Sequence, residues 1–72
     1  MIDQIKVGDV MEIDGIGENK EPVVIRFEVT EKSWYESQVK KGFFFHGVKC
    51  RFDNGLEEVL PFITVEFARK IN

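Results

Sequence analysis

The chain has 72 residues, which sets one domain over 1–72, a core worth about 3–5 kcal/mol, and no room for a deep substrate cleft besides. At 43% hydrophobic residues it belongs with folded chains rather than disordered ones, no apolar run approaches the ~18 residues of a membrane span, and Met1-Ile2-Asp3-Gln4 does not open a signal peptide. A net charge of −3 argues against a general nucleic-acid binder, and a single cysteine, Cys50, excludes an intramolecular disulfide and reads as a buried thiol in a reducing compartment, which points to the cytoplasm.

In chain order, Ile5 to Ile13 predicts a first strand. Asp14 to Pro22 is polar and Gly-rich, and its composition predicts a loop with no regular element. Val23 to Thr30 alternates strictly: Val23, Ile25, Phe27 and Val29 on one face, Val24, Arg26, Glu28 and Thr30 on the other, as a half-buried strand requires. Glu31 to Gly42 supports two readings. Ser33 with Glu36 fits a capping box, and Lys40, Lys41 and Gly42 suit a helix C-terminus, so a two-turn helix over 34–41 is the preferred one. In the other, Trp34-Tyr35 continues the second strand.

Phe43 to Asp53 predicts the next strand, and Asn54-Gly55 predicts a two-residue type I′ hairpin into Glu57 to Pro61. That turn sets Phe52 opposite Glu57, Arg51 opposite Glu58, Cys50 opposite Val59 and Val48 opposite Pro61, with an Arg51–Glu58 ion pair. Extended backward, it places Phe44 and His46 on the core side and Phe43 and Phe45 on the face of Lys49 and Arg51; a bulge at Gly47 would exchange the two sets. Either way the run Phe43-Phe44-Phe45 leaves an aromatic off the core, because neighbouring side chains on a strand point to opposite faces. Pro61 marks an edge or the end of pairing. Ile63 to Ile71 predicts a short turn leading into a closing strand.

These elements fit an all-β fold: a small, strongly bent barrel of 4–5 antiparallel strands. Val48-Lys49-Cys50-Arg51-Phe52-Asp53-Asn54-Gly55-Leu56-Glu57-Glu58-Val59-Leu60 resembles the central hairpin of Tudor-type and other SH3-like barrels. Val7-Gly8-Asp9-Val10 resembles their first strand, where a Gly-Asp turn precedes an apolar run. The resemblance implies a module that binds peptides, methylated side chains or nucleic acid, or serves assembly. A methyl-reading cage would draw on Trp34, Tyr35 and one Phe of the triplet. Asn54 stands where such domains carry Tyr, so Trp34 and Tyr35 are read instead as caps on the end of the barrel.

Catalytic chemistry is thin. His46 and Cys50 share a strand face but lie ~13 Å apart at strand rise, out of hydrogen-bond reach. Glu57 and Glu58 point to opposite faces and make no acid–base pair. One Cys and one His make no zinc site, and Asp14-Gly15-Ile16-Gly17-Glu18 matches no phosphate or calcium loop. No enzyme activity, cofactor or metal is expected. Binding is. Trp34, Tyr35, Phe43, Phe44 and Phe45 form candidate anchors, and Lys40, Lys41, Lys49 and Arg51 a basic rim. The partner is expected to be a protein or a second copy of the chain, with no membrane involved. The alternative is a single-stranded nucleic acid on the basic and aromatic segment 40–51, where bases stack on rings and lysines track phosphates. A third reading is a stand-alone inhibitor or ligand-sequestering protein of the phage or plasmid kind, motivated by a short chain with nothing flanking the barrel.

Overall fold

The computed structural model describes residues 4–71. Its strands are β1 (Val10–Ile16), β2 (Pro22–Glu36), β3 (Phe44–Phe52), β4 (Glu57–Pro61) and β5 (Arg69–Lys70), with a one-turn helix α1 (Phe62–Val65) between β4 and β5. All pairings are antiparallel, in the order β4-β3-β2-β1-β5. β4 and β5 are the two edges and do not pair with each other, so the sheet is open rather than closed into a barrel.

The first strand begins later than its apolar pattern predicts. Residues Lys6 to Asp9 make a turn: the Asp9 N–H donates to the Lys6 carbonyl at 3.0 Å, the Lys6 N–H donates to Asp9 Oδ2 at 2.9 Å, and Gly8 takes φ 97°. The expected loop over 14–22 is also shorter. Asp14, Gly15 and Ile16 pair with Val24, Val23 and Pro22, which leaves Gly17 to Glu21 as the connection. Pro22 is tolerated as the first residue of a strand, where its missing N–H costs no ladder bond. The turn closes through Gly17 N–H to Glu21 O at 2.8 Å and Lys20 N–H to Gly17 O at 2.9 Å, with Lys20 itself left-handed at φ 62°.

β2 is the strand on which the fold turns. Its first half pairs with β1 and its second half with β3, and the register shifts by one residue between Val29 and Glu31. Thr30 is the extra residue of this bulge, and its hydroxyl donates to the Lys49 carbonyl at 3.2 Å. The preferred helix over 34–41 does not form. Trp34, Tyr35 and Glu36 continue β2 opposite His46, Phe45 and Phe44. A two-turn helix has little stability of its own, and cross-strand aromatic pairs outweigh it. The residues that resembled helix caps close a turn instead. Ser37 Oγ accepts the Val39 and Lys40 N–H groups, Glu36 Oε2 accepts the Gly42 N–H at 2.7 Å, and Gly42 adopts φ 84°.

The β3–β4 register is displaced by one from the expected one. Arg51 faces Glu57, Cys50 faces Glu58, Lys49 faces Val59 and Val48 faces Leu60. The Gly55 N–H donates to Phe52 O, the Phe52 N–H donates to Leu56 O, and Gly55 alone in this turn has positive φ, at 87°. This is a three-residue loop with a glycine bulge, not a type I′ turn, which needs positive φ at Asn54 as well. The Asn54 side chain instead accepts the Leu56 N–H at 3.0 Å. The ion pair accordingly joins Arg51 to Glu57, at 3.4 Å, and not to Glu58.

Phe27, Val29, Val48, Cys50, Met11, Ile5, Phe62 and Val65 form the core, with Ile13, Phe52, Leu60 and Ala68 packed around it. Phe27 and Phe52 meet edge to face with centroids 6.0 Å apart. The terminal segment makes one helical turn that buries Phe62 and Val65, then returns to pair β5 with β1.

Candidate functional site: the distal β2–β3 hairpin

Beyond Val48 the β2–β3 hairpin runs past the core, and none of residues 34–45 is buried. Parity on β3 follows the sequence reading. His46 and Phe44 continue the face of Val48 and Cys50, while Phe45 lies on the face of Lys49 and Arg51; the only bulge in this hairpin is at Thr30, so Gly47 does not reverse the pattern. The hairpin therefore carries aromatic side chains on both faces.

On the core side, Trp34 stacks on His46 with centroids 4.7 Å apart and planes 12° from parallel, and His46 meets the Phe62 ring edge-on at 4.3 Å. The Lys32 ammonium sits 5.7 Å from the Phe62 centroid and donates to the Ile5 carbonyl at 3.0 Å. This stack seals the end of the core, but Trp34 remains 64% exposed and Phe44 55% exposed. His46 is thus a packing residue. Cys50, wholly buried on the same face, has its thiol pushed up to about 12 by loss of solvent, with the Glu58 charge adding to it.

On the outer side, Tyr35 and Phe45 face each other across the strands with centroids 6.1 Å apart. The Tyr35 hydroxyl donates to Glu31, and its pKa is raised to about 12, first by burial and then by that carboxylate. Gly47 follows. A Cβ there would come within 2.6 Å of the Leu60 carbonyl and 3.1 Å of the Phe45 ring, so only glycine lets β4 approach at this point. Tyr35, Phe45, Lys49, Val59 and Pro61 line an open groove of about 850 Å³, bounded by Glu36 to Val39 at the turn and by Glu57 and Glu58 on β4.

At the tip, Val39 is 96% exposed and Phe43 56% exposed, with the Lys40 ammonium 5.8 Å from the Phe43 centroid. The hairpin thus brings together Trp34, Tyr35, Phe43, Phe44, Phe45, Lys40 and Lys41. Lys49 lies further along the outer face, and Arg51 sits at the end away from the tip, held by Glu57. Sequence reasoning missed Val59, Pro61 and the acidic margin of the groove. Their signal was Pro61, which marks an edge or the end of pairing, and β4 is an edge strand.

Among the described residues, no group of three or more His, Cys, Asp or Glu side chains is placed to hold a metal ion, and no helix is long and apolar enough to cross a membrane. The chain matches no family model, and neither curated proteins nor solved structures give a match.

Proposed function

We propose that this chain is a non-catalytic binding module of the SH3-like small-barrel type, which recognises a protein partner, a second copy of itself included, through the aromatic and basic β2–β3 hairpin. The meander order β5-β1-β2-β3-β4, a central strand shared at a bulge by both halves of the sheet, and the helical turn before the last strand support the barrel-type reading. The observation that carries the function is the hairpin beyond the core. It exposes Trp34, Phe43 and Phe44 together with Val39, more large apolar surface than a solvated strand end requires. The buried free thiol of Cys50 supports a reducing, cytoplasmic setting.

The groove margins weigh against the nucleic-acid alternative. Glu36, Glu57 and Glu58 stand beside the aromatic floor, and carboxylates there repel a phosphate backbone. Size-exclusion chromatography with light scattering, at low and high salt, tests the reading. An assembly larger than a monomer that survives high salt is the expected result, because apolar contacts are little screened. The double change Phe43→Ser and Phe45→Ser is expected to abolish it while the circular dichroism spectrum stays that of the wild type. A doubly changed protein that unfolds, or one that assembles as before, would show that these rings do not form the contact.

A further inference from the structure

The second half of β2 is paired on one side only. β1 pairs with β2 from Pro22 to Glu28, and Val29 accepts the Gly8 N–H and donates to the Asp9 carbonyl. Beyond that, among the described residues, no strand pairs with Glu31 to Glu36 on the side away from β3. The Ser37 N–H donates to the Phe43 carbonyl, and in an antiparallel ladder bonded pairs alternate with pairs that are not. Tyr35 is therefore bonded to Phe45, whereas the N–H and C=O groups of Trp34 and Glu36 point away from β3, into the vacant side. The Trp34 ring stands on the core-side face of this edge. His46 covers the side of the indole nearer β3, and the exposed remainder faces the vacant edge. Past Glu36 the chain turns through exposed Lys40 and Lys41, neither of them in an ion pair among the described residues. No acid occurs between Ser37 and Phe52, and the Glu36 carboxylate at the start of the turn is taken by the Gly42 N–H.

Resting on the protein-partner reading above, we infer that a separate polypeptide adds a strand to this edge, antiparallel to β2, and that it carries acidic residues ahead of an aromatic one. The edge asks for alternating N–H and C=O groups, which a nucleic acid or a lipid headgroup does not supply even where its phosphates match the lysines. Antiparallel pairing is the more stable per residue. In that direction the partner runs from the lysine turn toward the body of the molecule. Its residue opposite Trp34 shares the Trp34 face, so an aromatic side chain there stacks on the open side of the indole. Its residue two places earlier stands opposite Glu36, where a carboxylate is disfavoured. Residues about four to six places earlier lie beside the turn, within reach of Lys40 and Lys41, where carboxylates are attracted. Main-chain bonds and the stacked ring supply the affinity, and the lysines fix direction and register. A second copy of β2 does not fit here. A two-fold through Trp34 sets Val39 of each copy against Val29 of the other, where Gly8 and Asp9 already hold the edge.

Trp34 is the only tryptophan in the chain, so its emission reports binding of a tryptophan-free peptide. The probe is a serine- and threonine-rich peptide with one phenylalanine and two glutamates about four and six residues ahead of it. Replacing the two glutamates by lysines is expected to weaken binding at low salt at least about tenfold. The protein variant Lys40→Glu with Lys41→Glu, checked for folding by circular dichroism, should reverse that preference. N-methylation of the phenylalanine and of the residue two before it removes the N–H groups that face β2, and should also weaken binding at least about tenfold, whereas methylation of the residue between them should leave it within about threefold. Equal binding of the glutamate and lysine peptides, or indifference to the methylated position, would overturn the acidic added strand while leaving the protein-partner reading standing. A protein that takes up neither peptide yet assembles with itself would do the same. One that takes up neither peptide and stays monomeric, or whose Trp34 emission responds only to a single-stranded oligonucleotide or to anionic vesicles, would overturn both.

Discussion

Tyr35 shows how one side chain reports on its surroundings. It is the only tyrosine in the chain, so its ionisation is read alone in the near-ultraviolet absorbance. Partial burial beneath the turn disfavours the phenolate, and the hydrogen bond to Glu31 favours the protonated form further, which together raise the pKa to about 12. The absorbance titration should therefore show a midpoint near 12 in the folded protein. Glu31→Gln is expected to bring it part of the way back, since it removes the charge but not the burial. A midpoint near the ordinary ~10 in the wild type would mean that the ring is solvated and that the groove floor is not as described.

At the scale of elements, Gly47 decides whether β3 and β4 can lie together. Replacing a strand glycine by alanine ordinarily stabilises by about 0.5–1 kcal/mol. Here the new methyl would be driven into the Leu60 backbone, which has no flexible end to give way. Gly47→Ala is expected to destabilise by about 1–3 kcal/mol in urea unfolding; a stabilised variant would mean that the β3–β4 approach is looser than the geometry implies. The same element shows what the sequence could reveal. Alternation from Val23 to Val29 marked the inner face at Phe27 and Val29, which are buried, whereas Ile25 on the same row stays exposed; the parity of Phe44, Phe45 and His46 was legible from Val48 and Cys50 only up to the choice of a bulge at Gly47, which the pairing with β2 decides. The β3–β4 register was not, since Asn-Gly serves both a two-residue turn and a three-residue turn with a glycine bulge, and the choice depends on how Leu56 pairs. Nor was the fate of Trp34 to Lys41: Ser37, Glu36 and Gly42 cap backbone N–H groups in a turn as readily as in a helix, and only pairing with 44–46 decides between them. The aromatic and basic residues of the site were all visible. The groove was not, because it is built by β4 lying beside β3, and that contact depends on the register.

The whole molecule is tied together at one carboxylate. Asp9 is a buried acid that accepts the Lys6 N–H, and its ion pair with Lys70 at 3.4 Å reaches β5. Its own backbone carbonyl accepts the Val29 N–H at 2.9 Å, next to the bulge in β2. The segment before β1, the central strand and the last strand thus meet at Asp9. The Lys6 N–H bond, opposed by burial and aided by the Lys70 charge, holds the Asp9 carboxyl below its ordinary value. The sign of the linkage follows. A pKa lower in the folded state than in the unfolded chain gives stability that is fully present above the unfolded value near 4, and is lost as pH falls through the folded value. Part of the acid unfolding of this protein should therefore belong to Asp9. Asp9→Asn is expected to cost about 1–2 kcal/mol at pH 7, from the charge-assisted bonds it removes. Below about pH 4 its deficit against the wild type should shrink, because the wild type is then losing the same interaction by protonation. Urea unfolding of both proteins between pH 7 and pH 2 measures this directly. Parallel stability curves across that range would show that the carboxylate contributes no pH dependence, and that the junction of β1, β2 and β5 is held by packing alone.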